Sequence, residues 1–300
     1  MRVNSNLVPN ILAALQQSQS ALNTALQEVS TGKRVSQPSD DPAASAAMVQ
    51  NAIDTANNDQ YTQNISTVQT TAQAASSALS SVVNSLTQAI SAGTEGANGT
   101  NSSSNLQTLA SQVQGILNNV ISQANTAVGG NYIFGGTVTG KAPYTADATS
   151  ATGYTYNGNN NSNSVAIGDH LSVQVNLPGS QIFSSSSNNV IGALSSLVTA
   201  LQSGNISGIA TATASVSSAL TYVSQQQGFY SNVQTQLNSQ DTALQQDKVT
   251  LTTQATNLVG INIATAATAL SQAETDNSAA LAAAAKVLPV TLLNYLSTPS

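Results

Sequence analysis

Few residues in this chain could do chemistry, and their spacing argues against it. His170 is the sole histidine, with Asp169 beside it. A Ser–His pair could use no other imidazole, and a two-histidine zinc motif cannot be made. Gly168-Asp169-His170 reads instead as a turn before a strand. Asp40 and Asp41 are adjacent carboxylates, the residue type needed for acid/base or metal work. Neighbouring side chains in a turn diverge, however, and no histidine lies near them in sequence. Asp41 followed by Pro42 reads as a helix start, with a carboxylate at the N-cap and proline at the first helical position. Gly129-Gly130 and Gly135-Gly136 flank an aromatic segment, but neither fits a phosphate loop, and Lys141 lacks the spacing for one. Lys33-Arg34 could meet an acidic partner or sit in a solvated loop; the second reading is preferred. With no cysteine, thiolate catalysis, disulfides and Cys-ligated metals are excluded. No catalytic, cofactor-binding or metal-ligating residue is assigned.

The elements around these residues are mainly helical. Ile11, Leu15, Leu22 and Val29, with Ala25 between, recur in steps that share one helical stripe. Gly32 then suits a left-handed helix end. Lys33, Arg34, Pro38, Ser39, Asp40 and Asp41 form a loop up to Pro42. A long helix is expected from Pro42 to about Ala92, a Gly/Asn/Ser-rich break over 93–104, and a second helix from Asn105 to about Val128. Short strand candidates follow at Tyr154–Tyr156, Val165–Ile167 and Leu171–Asn176. From Asn188 onward the pattern returns to helix. Leu237, Leu244, Leu251 and Leu258 are spaced by seven, with Tyr230 one heptad earlier. They form half of a coiled-coil seam whose other half (Val233, Gln240, Asp247, Gln254, Ile261) is mostly polar. So narrow a seam needs partner helices. The final segment carries Leu281, Leu288, Leu292, Leu293 and Leu296 along an Ala-rich stretch, interrupted by Pro289, where a kink or restart is expected.

The fold class is therefore mainly α with a small β-rich insert, the N- and C-terminal regions forming an elongated helical bundle or coiled coil. Residues 1–41 and 262–300 are expected to be terminal assembly helices, 42–130 and 188–261 a helical-bundle core, and 131–187 the insert. Leu237 to Leu258 is assigned to the internal core, Leu281 to Leu296 to contacts between subunits.

Composition narrows the function classes. Charged residues make up 6% of the chain against roughly 25% in ordinary globular proteins, and net charge is −6 with six Lys and Arg. A nucleic-acid binder needs clustered positive charge to displace counterions from phosphate, so that class is excluded. No stretch reaches the ~20 apolar residues that span a bilayer. Met1-Arg2-Val3-Asn4-Ser5-Asn6 lacks the apolar run of a secretory signal. Weak apolar stripes at both ends are explained if they bury one another, and equivalents in other copies, on assembly.

The run Ser30-Thr31-Gly32-Lys33-Arg34-Val35 followed by Pro38-Ser39-Asp40-Asp41-Pro42-Ala43 resembles a signature of the hook-associated type 3, or hook–filament junction, proteins of the flagellin family. Met1-Arg2-Val3, Ala124-Asn125-Thr126 with Asn131-Tyr132-Ile133-Phe134-Gly135-Gly136, and Leu292-Leu293-Asn294-Tyr295-Leu296 resemble further segments of that family. The resemblance implies a non-enzymatic subunit of the bacterial flagellum, exported without a cleaved signal and assembled as a ring between hook and filament. It implies flagellin, the type 1 hook-associated protein and an export chaperone as partners, and terminal segments that order on assembly. The neighbouring reading is a filament subunit. Pro38, Pro42 and the Tyr295-Leu296 ending favour the junction protein.

Overall fold

A computed structural model describes residues 7–186 and 188–296, with side chains from residue 9 to residue 286. Among the described residues are seven helices and three separate two-stranded antiparallel sheets, a mainly α architecture with a small β-rich insert. No described helix is long and apolar enough to cross a membrane. The chain divides into two compact units, residues 57–246 and residues 1–56 with 247–300.

The unit of residues 57–246 holds the main core. Its frame is the later part of α2 (Pro42–Gly96) and the earlier part of α6 (Ile206–Val259). On α2, Ile65, Val68, Ala72, Ala75, Leu79, Val82, Leu86 and Ala89 are buried at alternating steps of three and four. On α6, Ile209, Ala212, Val216, Ala219, Val223, Tyr230, Val233, Leu237 and Leu244 keep to the same stripe, with whole-heptad steps from Val223 to Tyr230 and from Leu237 to Leu244. Two such stripes make a heptad seam, each burying its apolar edge on the other. The pair is antiparallel: the Gln69 amide donates to Asn238 Oδ1 at 3.0 Å, and the Gln234 amide to Gln73 Oε1 at 2.9 Å. Buried Asn58 donates from Nδ2 to the Leu244 carbonyl at 3.0 Å. At the other end Gly93 lets the helices close, because a Cβ there would collide with Thr213.

Helix α3 (Ser103–Ala124) and helix α5 (Val190–Ser203) pack on each other and complete the helical core. Ser102 caps α3 by accepting from Asn105 N at 3.2 Å, and Asn189 caps α5 by accepting from Gly192 N at 2.8 Å. Gly204, at φ 67°, ends α5 in the left-handed conformation.

Between these helices lie hairpins β1–β2 (Ala127–Val128, Asn131–Tyr132), β3–β4 (Tyr144–Ala146, Tyr154–Tyr156) and β5–β6 (Ser164–Gly168, Leu171–Gln174), then the short helix α4 (Gly179–Ile182). Hairpins this small are not stable alone. They are held by aromatic packing, with Phe134 edge-on to Phe183 at 5.3 Å and Tyr144 against Tyr156 at 5.2 Å. The Tyr230 hydroxyl on α6 accepts from Leu177 N at 3.2 Å, tying the insert to the seam.

Two helix ends differ from the sequence reading. α2 runs to Gly96 rather than stopping near Ala92, because Ala92, Gly93 and Gly96 continue its buried face. The next helix stops at Ala124, not Val128, because the Thr126 carbonyl accepts from Ile133 N at 3.1 Å and turns the chain into β1. The expected strands at Tyr154–Tyr156, Val165–Ile167 and Leu171–Asn176 are present as β4, within β5 and as β6, the last ending at Gln174.

The unit of residues 1–56 and 247–300 is thinner. α1 (Leu7–Thr31) packs on α7 (Ile263–Leu296), and the start of α2 meets the end of α6. Asn51, buried, donates to the Leu251 carbonyl at 3.0 Å. α7 is unbroken through Pro289, so the restart expected there is absent. Proline removes one ladder bond, and the Ala-rich turns before it are strong enough helix formers to carry the helix past. α6 ends at Val259, which leaves Ile261, placed in the seam by spacing alone, beyond the helix.

Candidate assembly surface

The loop between α1 and α2 is a latch. Gly32, at φ 68°, ends α1. Lys33 then pairs with Gly260 as an antiparallel bridge: Arg34 N donates to the Val259 carbonyl at 2.7 Å and Ile261 N to the Gly32 carbonyl at 3.3 Å. Arg34 Nη2 reaches both Asp41 Oδ2 at 3.0 Å and the Leu258 carbonyl at 3.2 Å. One guanidinium therefore answers a helix-end carbonyl of α6 and the capping carboxylate of α2. The two aspartates diverge as expected. Asp40 Oδ2 accepts from Ser36 N at 3.0 Å and Gln37 N at 2.8 Å, closing the loop through Pro38 and Ser39. Asp41 Oδ1 accepts from Ala44 N at 3.0 Å, with Pro42 opening the helix. The Ala44 N–H, and then the Arg34 charge, hold the Asp41 carboxyl below its ordinary value.

α1 and α7 meet along a shallow seam. Ile11, Leu15, Ser18 and Leu22 are half-buried and Ala25 is buried, at alternating steps of four and three. On α7, Ala266, Leu270, Ala273, Asn277, Ala280 and Ala284 follow the same spacing. Ser18 donates to Asn277 Oδ1 at 3.4 Å, a polar pair within the seam. Val29, read as part of this stripe, is exposed in the last turn of α1.

The apolar surface that remains is unevenly distributed. Ten large apolar side chains are exposed among the described residues. Eight of them (Leu12, Leu26, Val29, Val49, Ile53, Val249, Ile263 and Leu281) fall in residues 1–56 and 247–300, which leaves Leu171 and Ile206 for the larger unit. Large apolar side chains left open beside a buried stripe are candidates for contact with a neighbouring molecule.

Residues 3–139 match the bacterial flagellin N-terminal helical region. The match covers less than half of the chain. The matched region takes in α1, the latch, α2, α3 and the first hairpin. Flagellar hook-associated protein 3 of Salmonella typhimurium is 29% identical over 197 residues, covering 64% of this chain and 59% of that protein. Its Escherichia coli namesake is 34% identical over 126 residues, covering 40% of this chain and 38% of that protein. The chain thus matches less than two thirds of the length of either relative. Bacillus cereus FlgL shares the fold at 23% identity, with a TM-score of 0.59 over 70% of this chain and 99% of that one. The resemblance first visible in the latch motif is borne out by these relatives.

The remaining sequence-predicted positions lie as follows. Leu237 and Leu244 are buried in the main core; Leu251 is buried and Leu258 half-buried in the smaller unit. Leu281 is exposed, while the side chains of Leu288, Leu292 and Leu296 lie outside the described residues, as does Met1-Arg2-Val3. His170 sits at φ 56° in the β5–β6 turn, its side chain and that of Asp169 94% and 86% exposed. An imidazole so solvated, with one flexible carboxylate at 3.5 Å, has no positioned partner for catalysis.

Inside the matched region, Asn125 was legible only as part of a motif. It receives Tyr144 N and donates to the Tyr144 carbonyl, both at 2.8 Å, pinning β3 to the end of α3. Arg34 as a clamp, and Asn51 and Asn58 as buried donors to α6 carbonyls, carried no sequence signal. Each depends on a partner some two hundred residues away.

Proposed function

We propose that the chain is a non-enzymatic structural subunit of the bacterial flagellum, seated as a ring between hook and filament and templating flagellin assembly. The observation that carries this is the concentration of exposed apolar side chains on α1, α7 and the adjoining ends of α2 and α6. Helices that leave large apolar side chains open gain stability when neighbours cover them. The names of the Salmonella and Escherichia coli relatives supply the setting. Export without a cleaved signal, an extracellular location, and contacts with flagellin, the type 1 hook-associated protein and an export chaperone belong to the same reading. So does ordering of residues 1–41 and 262–300 on assembly, with Leu281 to Leu296 facing other subunits.

Deleting the gene tests it. Hooks should persist while flagellin is shed into the medium, and antibody against this chain should label the hook–filament boundary. Normal filaments in the deletion strain would overturn the proposal. Limited proteolysis of the soluble full chain should cut within the two terminal segments, and assembly should protect them. Resistance throughout the monomer would refute the ordering step.

A second reading, a filament subunit, is favoured by the flagellin match over residues 3–139. Abundance separates the two: a filament subunit dominates sheared filaments, a junction ring is a trace component.

A further inference from the structure

The sequence contains two Asn-Gly pairs, Asn98-Gly99 and Asn157-Gly158. Glycine after asparagine removes the Cβ that otherwise hinders the backbone nitrogen from closing on the side-chain amide. Local sequence alone would make the two pairs equally reactive. Their surroundings differ.

Asn98 is exposed in the loop between α2 and α3, and a Cβ built on Gly99 meets nothing within 4 Å. Asn98 N donates to the Glu95 carbonyl at 3.1 Å, and the Asn98 carbonyl accepts from Asn101 N at 3.2 Å and Asn101 Nδ2 at 3.1 Å, but the space around Gly99 is open. The Asn98 side-chain oxygen, Oδ1, accepts from Thr100 N at 3.3 Å and from Thr100 Oγ1 at 3.0 Å. This Asx turn places two donors on the oxygen on which negative charge develops when Cγ is attacked. Donors so placed lower the barrier to a tetrahedral oxyanion. At the other pair, Asn157 N donates to the Pro143 carbonyl at 2.8 Å and Asn157 Nδ2 to Thr145 Oγ1 at 2.8 Å. Gly158 is walled in: a Cβ on it would collide with the Tyr156 ring and lie 2.7 Å from the Gly135 carbonyl. No described group donates to the Asn157 side-chain oxygen.

We propose that Asn98 is a site of spontaneous deamidation promoted by Thr100, and that the fold protects Asn157. The Gly99 backbone nitrogen loses its proton and attacks Asn98 Cγ; the new C–N bond closes a five-membered succinimide as the Cγ–Nδ2 bond breaks and ammonia leaves. Water then opens either carbonyl, leaving aspartate, or isoaspartate with one extra methylene in the main chain. No oxidant, enzyme or cofactor is consumed. Each event adds one negative charge immediately beyond the C-terminus of α2, where the helix dipole disfavours it, in a chain with few charges.

The test is peptide mapping of the full folded chain aged in mildly alkaline buffer made with oxygen-18 water. Asn98 should convert and take up the label at least about tenfold faster than Asn157, a difference of one factor of ten in rate constant. In concentrated urea the two should convert at similar rates, because only local sequence then acts. Thr100→Val should slow Asn98 several-fold in the folded chain and leave the urea rate unchanged, while Thr100→Ser restores it. Equal folded-state rates at the two sites would overturn the proposal. A Thr100→Val variant ageing as fast as the parent would overturn the role of Thr100.

Discussion

The proposed interface gives its most direct prediction at Leu12 and Leu26. Both lie on α1 but off the seam with α7, and they are 57% and 46% exposed. Together they offer about one whole leucine of surface for a neighbour to cover. Burying that much contributes about 1.5–3 kcal/mol per subunit contact, so replacing both with Gln should weaken each association step roughly ten- to hundred-fold. The monomer should hardly notice, because surface substitutions away from special features change stability by within about 0.5 kcal/mol. The assay pairs a thermal melt of the soluble chain with flagellin retention in a strain carrying only Leu12→Gln/Leu26→Gln. An unchanged melt with flagellin shed into the medium is expected. A lowered melting point would mean that the two leucines belong to the monomer core. Full motility with an unchanged melt would mean that this face of α1 is not an interface.

Gly93→Ala places a Cβ against Thr213 and should destabilise the larger unit by about 1–3 kcal/mol in urea denaturation; a neutral result would show that α2 and α6 are not in close contact there. Tyr230 is buried and its phenol is pushed up to about 12 by loss of solvent. A raised value means that the neutral form is favoured in the folded state, so its contribution is complete below about pH 10 and is lost as pH rises through about 12. Tyr230→Phe, which strands the Leu177 N–H, should cost about 1–3 kcal/mol near neutral pH, and the gap to the parent should narrow through that alkaline window; a constant gap would contradict burial of the phenol. Asp41 is held below its ordinary value, so its stabilisation is present above pH 3.8 and is lost as pH falls further. Asp41→Asn keeps a capping oxygen but not the charge, and should flatten the acid side of the stability profile.

Much of the architecture is legible in particular residues. Asp41-Pro42 favours a helix start, because cap and ring act within one turn. Gly32 stops one for an equally local reason. The seven-residue spacing of Leu237, Leu244 and Leu251 announces a seam because helical geometry alone puts them on one edge. What spacing could not say is which side chains at the margin of a stripe are covered. Val29 and Ile261 satisfy the period and lie outside the seams, since Val29 stands in the last turn of α1 and Ile261 beyond the end of α6.

The sequence by itself determined the helical class, the latch loop and the near absence of groups that could do chemistry, because those follow from residue type and short-range geometry. Only the tertiary structure decided that Arg34 answers the Leu258 carbonyl, that Asn51 and Asn58 are buried donors, that Gly93 is a close approach, and that Leu12 and Leu26 are left uncovered. The physical reason is the same in each case. A hydrogen bond or a contact is a property of two segments, and these depend on residues far apart in the chain, a relation that no window of neighbouring residues contains.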